Sequence, residues 1–145
     1  MTIKLSHIGF VVQDIKEATE VFEDLGLKKM TEPEPDPVQK VTACFVSTGD
    51  EQDSHIELLQ PDDETSPIAN FLHKHGGGLH HLCFEVKDID KATKELEVKG
   101  FQIISTPVEC IGYDQSFKLQ GDKSTRISFM LSPNKLLIEL LEKGS

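Results

Sequence analysis

The chain has 145 residues, 15 of them basic and 25 acidic, and this length fits one domain with a core of its own. Its net charge of −10 argues against a nucleic-acid backbone or an anionic membrane surface as a partner. It has no apolar run of about 18 residues and no basic-then-apolar start, so we expect a soluble protein of the cytoplasm.

The first predicted elements are a strand and a helix. Apolar residues alternate at Ile8, Phe10 and Val12, which is the period of a strand with one packed face. Asp14 suits the N-cap of a helix, and Gly26 stands where a left-handed residue would end it. The apolar stripe of this helix consists of Ile15, Ala18, Phe22 and Leu25. We expect the stripe to pack on the apolar face of the strand.

Two further strands and a linker follow. The segments "KVTACFVST" and "SHIELLQ" are apolar enough to be strands, and they complete a first module at about residues 3–62. The next segment, "PDDETSPIANFLHKHGGG", has the composition of a turn, a short helix and a glycine linker. The linker is therefore predicted at about residues 63–78.

The second half of the chain repeats the first. A shift of 74 residues places "HIGFVVQDIKEATEVFEDLGLKKMTEP" on "HLCFEVKDIDKATKELEVKGFQIISTP", and ten of these 27 positions are identical. The identical pairs are His7/His81, Phe10/Phe84, Val12/Val86, Asp14/Asp88, Ile15/Ile89, Ala18/Ala92, Thr19/Thr93, Glu23/Glu97, Gly26/Gly100 and Pro33/Pro107. The duplication predicts two βαβββ modules, the second at about 79–143, in a single α+β domain spanning 1–145.

The second module is longer than the first. The sequence "IELL" occurs at 56–59 and again at 138–141, an offset of 82, so about eight residues are inserted. We assign them to "CIGYDQSFKLQGDKS" at 110–124, which is polar and lacks periodicity. This segment is expected to contribute little to the core and to influence substrate affinity, with Lys118, Lys123 and Arg126 supplying positive charge. A solvated surface loop is the alternative.

Two residue pairs recur in the modules at positions where polar side chains are unusual. His7 and His81 face away from the apolar strand residues that pack the helices, and Glu57 and Glu139 lie within apolar strands. Two histidines and two glutamates on rigid strands suit one divalent transition metal, Co, Ni, Mn or Zn. The alternative is a hydrogen-bonded strand histidine and a glutamate on a solvent face.

The remaining histidines lack this symmetry. His80 has Ser6 as its counterpart in the first module, so we predict that it binds no metal although it adjoins His81. His55, His73 and His75 are predicted to lie at the rim or in the linker. Glu85 shares the strand face of His81 and is a candidate for a supporting role.

Four segments resemble a known family. They are "SHIGFVVQDIKEA", "IELLQPDDETSPIANFL", "GGGLHHLCFEVKDIDKA" and "LLIELLE". They are similar to the vicinal oxygen chelate superfamily of glyoxalases, bleomycin resistance proteins and dioxygenases, and most similar to its methylmalonyl-CoA epimerase branch. The resemblance implies a half-open, eight-stranded barrel-like sheet around a metal held by His7, Glu57, His81 and Glu139, commonly in a homodimer. The epimerase branch usually has His-Pro-Lys where this chain has Leu131, Ser132 and Pro133.

The chemistry implied by this resemblance is proton abstraction next to a carbonyl. The metal stabilises an enolate oxygen while Glu139 or Glu57 moves the proton, as in an epimerase acting on an acyl-CoA thioester. A glyoxalase I-like lactoylglutathione lyase acting on a hemithioacetal is the alternative. A non-catalytic small-molecule binding or resistance protein is a second alternative, although the chain has no Trp and one Tyr to form aromatic walls.

Overall fold

A computed structural model of the chain describes residues 3–37, 39–49 and 54–145. The elements in chain order are β1 (Ile3–Val11), α1 (Ile15–Asp24), β2 (Glu34–Asp36), β3 (Val41–Ser47), β4 (His55–Pro61), α2 (Ala69–His75), β5 (Gly78–Val86), α3 (Ile89–Val98), β6 (Gln102–Glu109), α4 (Ile111–Ser116), β7 (Arg126–Leu131) and β8 (Leu137–Glu142). The strands form one mixed sheet in the order β2-β3-β4-β1-β5-β8-β7-β6, which confirms the predicted α+β fold class. Among the described residues, no helix is long and apolar enough to span a membrane.

The chain divides into two compact units between His80 and His81, close to the predicted start of the second module. The first unit is His7–His80, and the second unit consists of residues 3–6 with His81–Ser145. The prediction that the whole chain is one domain stays a prediction.

In the first unit, β1 runs parallel to β4, and β3 runs antiparallel to both β4 and β2. Helix α1 covers one face of these strands, where Ile15 is buried with Cys44, Val46 and Leu58. The predicted packing of strand and helix is confirmed, since the partly buried residues Phe10, Val12, Ala18 and Phe22 join this cluster. The prediction is wrong at Leu25, which is 70% exposed because the helix ends there, and Leu27 packs instead.

The second unit repeats this arrangement. β5 runs parallel to β8, while β7 runs antiparallel to β8 and to β6. Helix α3 packs Ile89, Ala92 and Leu96 against the strand residues Val86 and Leu140, with Leu82 and Phe84 beside them. We call the opposite face of each unit, which carries His7 or His81, the histidine face.

Both long helices begin and end as predicted. The side chain of Asp14 accepts a hydrogen bond from the backbone N–H of Glu17 at 3.0 Å, and Asp88 accepts one from Lys91 at 3.1 Å. Gly26 and Gly100 follow the last turns with φ of 90° and 97°, a backbone conformation that side chains with a Cβ rarely adopt.

A second bond ties each helix start to its sheet. The Gln60 Oε1 accepts a hydrogen bond from the N–H of Ile15 at 2.8 Å, and the Glu142 Oε2 accepts one from Ile89 at 3.0 Å. Gln60 and Glu142 are separated by the same 82 positions as the "IELL" repeats. Helix and strand are thus joined in the same way in both copies.

Short helices cover the histidine faces. In the first unit, α2 is preceded by Ile68, which is buried against Val11, Val41 and Leu59. In the second unit, Tyr113 of α4 packs against Cys83, Ile127 and Leu141. Segment 110–124, which lies wholly within the described residues, contains no buried residue, in line with the expectation that it contributes little to the core, although Tyr113 packs partly buried against this cluster.

Candidate metal centre

The first unit brings His7 and Glu57 together. These residues lie on the adjacent parallel strands β1 and β4, and His7 Nε2 is 3.4 Å from Glu57 Oε1. Gly9 is the residue opposite Glu57 on β1, so no side chain on that strand stands directly beside the carboxylate. The imidazole of His7 is almost completely buried, at 2% exposure.

The second unit brings His81 and Glu139 together with nearly the same geometry. They lie on the parallel strands β5 and β8, and His81 Nε2 is 3.3 Å from Glu139 Oε1. Both residues are buried, at 4% and 7% exposure. A carboxylate buried to this degree is costly without a charged or hydrogen-bonding partner, so the second pair is a site where a cation would be stabilised, while Glu57 of the first pair is only partly buried.

The separation within each pair fits two ligands of one metal ion. An N–H···O hydrogen bond is about 2.9 Å long, which is shorter than either separation. Two ligand atoms that are each about 2.1 Å from an ion, at roughly a right angle to one another, lie about 3 Å apart. The donor atoms, imidazole nitrogen and carboxylate oxygen, are those that divalent transition metals take. The residues therefore fit the metal that the sequence predicts.

Each histidine also has an aromatic neighbour that the sequence analysis missed. The ring of Phe45 meets His7 edge-on at 5.2 Å between centroids, and Phe129 meets His81 in the same way at 5.9 Å. Phe45 lies opposite Glu57 on β3, and Phe129 lies opposite Glu139 on β7. These rings hold the imidazoles in place and keep water from them. The signal for them was a phenylalanine at the same place in "KVTACFVST" and "STRISFMLS".

The other histidines lie in different surroundings. The ring of His80 packs edge-on against Phe71, at 5.2 Å between centroids, and His73 Nε2 lies 2.7 Å from the Glu64 carboxylate. His75 packs on Phe71 as well, while His55 lies opposite His7 on β4. The structure thus places His55 on the histidine face of the first unit, nearer to the candidate site than the rim position that the sequence indicated.

Two positive charges expected to meet a substrate have partners within the second unit. Both terminal nitrogens of Arg126 are 2.9 Å from the carboxylate oxygens of Asp90, and Lys123 Nζ is 2.9 Å from Glu142. The hydrogen bond between Arg126 and Asp90 raises the pKa of Arg126 and lowers the pKa of Asp90, and the attraction between their charges acts in the same direction. These ion pairs weaken the expectation that Lys123 and Arg126 bind an anionic substrate.

Tyr113 lies close to the second pair. Its pKa is raised, chiefly by burial and then by electrostatic interactions with Cys83, Glu85 and Glu139. The phenol is therefore neutral at ordinary pH. Sequence reasoning placed Tyr113 in a polar insertion and gave no sign that it would reach the histidine face.

Comparison with known proteins gives concordant matches. A family model described as Glyoxalase/Bleomycin resistance protein/Dioxygenase superfamily matches residues 6–117. The mitochondrial methylmalonyl-CoA epimerase of Dictyostelium discoideum is 33% identical over 141 residues, covering 97% of this chain and 78% of that protein. The ethylmalonyl-CoA/methylmalonyl-CoA epimerase of Cereibacter sphaeroides is 34% identical over 110 residues, covering 75% and 80%. The crystal structure of methylmalonyl-CoA epimerase from Mycobacterium tuberculosis matches with a TM-score of 0.78 and 28% identity, covering 97% of this chain and 88% of that chain.

Proposed function

Since the chain belongs to the glyoxalase, bleomycin resistance protein and dioxygenase superfamily, we propose that it is an epimerase of the methylmalonyl-CoA type. Such an enzyme removes the proton from the carbon between the thioester carbonyl and the carboxylate, and returns a proton on the other face. The names of two relatives at 33% and 34% identity support this substrate class.

The observation that carries the proposal is the duplicated histidine–carboxylate pair. His7 with Glu57 and His81 with Glu139 have Nε2–Oε1 separations of 3.4 and 3.3 Å, and each pair is packed against a phenylalanine. Duplication alone would copy these residues, but polar side chains at buried positions are costly and tend to be lost unless they have a role. The proposed reaction uses two carboxylates, so it gives a role to both Glu57 and Glu139.

We assign His7, Glu57, His81 and Glu139 as the ligands of one divalent ion per chain. When bound, such an ion acts as a Lewis acid that stabilises the enolate oxygen of the substrate. Co, Ni, Mn and Zn all accept this combination of imidazole and carboxylate.

The protein's own residues move the proton. One residue, Glu139 or Glu57, takes the proton from the carbon as a carboxylate, and its counterpart from the other copy of the repeat, in its protonated carboxylic acid form, returns a proton to the opposite face. Phe45 and Phe129 limit the access of water to the pairs, which strengthens the electrostatic interactions there. No atom is gained or lost, because the base and the acid exchange roles in the reverse reaction.

A homodimeric assembly and a cytoplasmic location complete the proposal. The homodimer follows from the resemblance to the superfamily, and light scattering of the purified protein would measure it. The location follows from the composition of the chain, and microscopy of the tagged protein in its own cells would test it.

The proposal is tested by solvent exchange at the reacting carbon. In deuterated buffer with added Co²⁺, Ni²⁺ or Mn²⁺, deuterium should enter C2 of methylmalonyl-CoA, measured by proton NMR or mass spectrometry. The rate should fall steeply in both Glu139→Ala and Glu57→Ala. Absence of exchange together with conversion of the hemithioacetal of methylglyoxal and glutathione would assign a glyoxalase activity instead, and no effect on either compound would favour the binding role.

A further inference from the structure

Helix α4 occupies a position on the histidine face of the second unit that bears on the choice of substrate. Its Tyr113 packs with Cys83 of β5, Ile127 of β7 and Leu141 of β8, which all point to the same side as His81 and Glu139. Cys83 lies two residues beyond His81, and two residues of a strand span about 6.6 Å. The phenol ring therefore packs on the next residue of β5 that shares the face of His81, and this residue lies opposite Glu139 on β8.

The ring is held firmly in this position. The side chain of Asp114, next in the chain, accepts hydrogen bonds from the N–H of Thr125 at 3.0 Å and from the Thr125 hydroxyl at 2.5 Å. The N–H of Cys110 donates to the Thr125 carbonyl at 2.8 Å, so the start and the middle of α4 are both bonded to the residue that precedes β7. Phe117 packs on Tyr113, with 4.7 Å between ring centroids. Because the ring of Tyr113 cannot move aside, it excludes larger substrate groups from the space beside it.

The surroundings of the ring agree with a location beside the reacting groups. The carboxylates of Glu85 and Glu139 contribute to the raised pKa of Tyr113, after burial and an electrostatic interaction with Cys83. Tyr113 thus presents an uncharged phenol ring on the histidine face, packed on the residue that lies opposite Glu139.

We propose that Tyr113 is the specificity-determining residue that limits the size of the acyl substituent accepted beside His81 and Glu139. This role rests on the proposed epimerase function, because it concerns the substrate of that site. One relative carries both ethylmalonyl-CoA and methylmalonyl-CoA in its name, so these two thioesters are natural probes that differ by a single methylene.

The test compares the kcat/KM for the two thioesters in three variants. Tyr113→Ala should raise the ratio of ethylmalonyl-CoA to methylmalonyl-CoA by roughly tenfold, which is the lower range for one methylene in an apolar pocket. Tyr113→Phe keeps the ring and should leave the ratio unchanged. Ile111→Ala is the matched control on the same helix, since Ile111 is 61% exposed, and it should also leave the ratio unchanged. An unchanged ratio in Tyr113→Ala would overturn the proposal.

A second measurement does not depend on the folding of a variant. The chain has one tyrosine, so protein grown with 3-fluorotyrosine gives a single fluorine NMR resonance, which reports on Tyr113 alone. Saturating methylmalonyl-CoA should shift this resonance, and a resonance that does not move during turnover would overturn the proposed contact. If the wild-type protein converts neither thioester, the proposed function fails and this inference fails with it. If the wild-type protein converts both thioesters but Tyr113→Ala leaves the ratio of their kcat/KM values unchanged, only this inference fails.

Discussion

At the scale of single residues, strand parity separates two adjacent histidines. His81 is 4% exposed and lies beside Glu139 on the histidine face of its unit, whereas the ring of His80 packs on Phe71. Successive strand residues point to opposite faces, so neighbours in the sequence have different surroundings. His80 is therefore a natural control for any experiment on His81, since the two have the same chemistry and adjoining positions.

The first residue-scale prediction concerns metal content. Purified wild-type protein should bind about one divalent ion per chain, and His81→Ala should reduce this at least tenfold, because a ligand is lost. His80→Ala should retain the wild-type amount. Elemental analysis after dialysis measures the metal content of both variants. Equal losses of metal would contradict the assignment of His81, and not His80, as a ligand.

At the scale of elements, the structure shows how each main helix is joined to its sheet. Gln60 and Glu142 end β4 and β8, and each accepts a hydrogen bond from the first backbone N–H of α1 or α3. One is a neutral amide and the other a carboxylate that also pairs with Lys123. The two copies of the repeat therefore use the same contact, but the stability that it contributes should depend on pH only in the second copy.

The pKa of Glu142 is lowered from its ordinary 4.5: burial raises it, but the Ile89 N–H and the Lys123 ammonium together outweigh burial. A lowered folded-state pKa stabilises the protein above about pH 4.5, and this contribution is lost as the pH falls through the folded-state pKa. We predict that Glu142→Gln lowers the free energy of unfolding at pH 7, and that its difference from wild type disappears once the pH has fallen below the folded-state pKa of Glu142. Urea unfolding at several pH values measures this.

Gln60→Ala provides the comparison for this prediction. It removes a neutral hydrogen bond and should lower the free energy of unfolding by about 1 kcal/mol at every pH. A pH-dependent loss in Gln60→Ala, or a pH-independent loss in Glu142→Gln, would show that the two contacts do not differ in the way described.

At the scale of the whole molecule, charge favours a bound cation. The chain has a net charge of −10, and the positive groups Lys123 and Arg126 are engaged in ion pairs with Glu142 and Asp90. An acyl-CoA substrate is itself an anion, so a divalent ion at the candidate centre would offset the unfavourable field locally. The same ion would bind the folded chain and not the unfolded one.

Removal of this ion should therefore lower the stability of the entire protein. At a free metal concentration one hundred times its Kd, bound metal contributes about 2.7 kcal/mol, which corresponds to a rise in Tm of roughly 5–10 °C. Excess chelator should abolish the rise in wild-type protein and in His80→Ala. The Tm of His81→Ala should not respond to metal or chelator, and a response equal to wild type would contradict the proposed centre.

The sequence by itself determined the features that depend on local order. Duplication, strand alternation, the caps at Asp14 and Asp88, and the burial of His7 and His81 could all be predicted, because each follows from spacing along the chain. The sequence also grouped the two histidines with the two glutamates, but only the structure shows that each histidine lies beside the glutamate of its own module.

Only the tertiary structure decided which distant residues complete those features. Phe45 and Phe129 reach the histidines through strand register, and Gln60 and Glu142 reach the helix starts, although neither residue type predicts such contacts. No helix was predicted in the polar segment 110–124, because its few apolar side chains show no period. Residues Ile111–Ser116 form one, and its Tyr113 packs on Cys83, Ile127 and Leu141, an apolar surface that forms only when the strands pair.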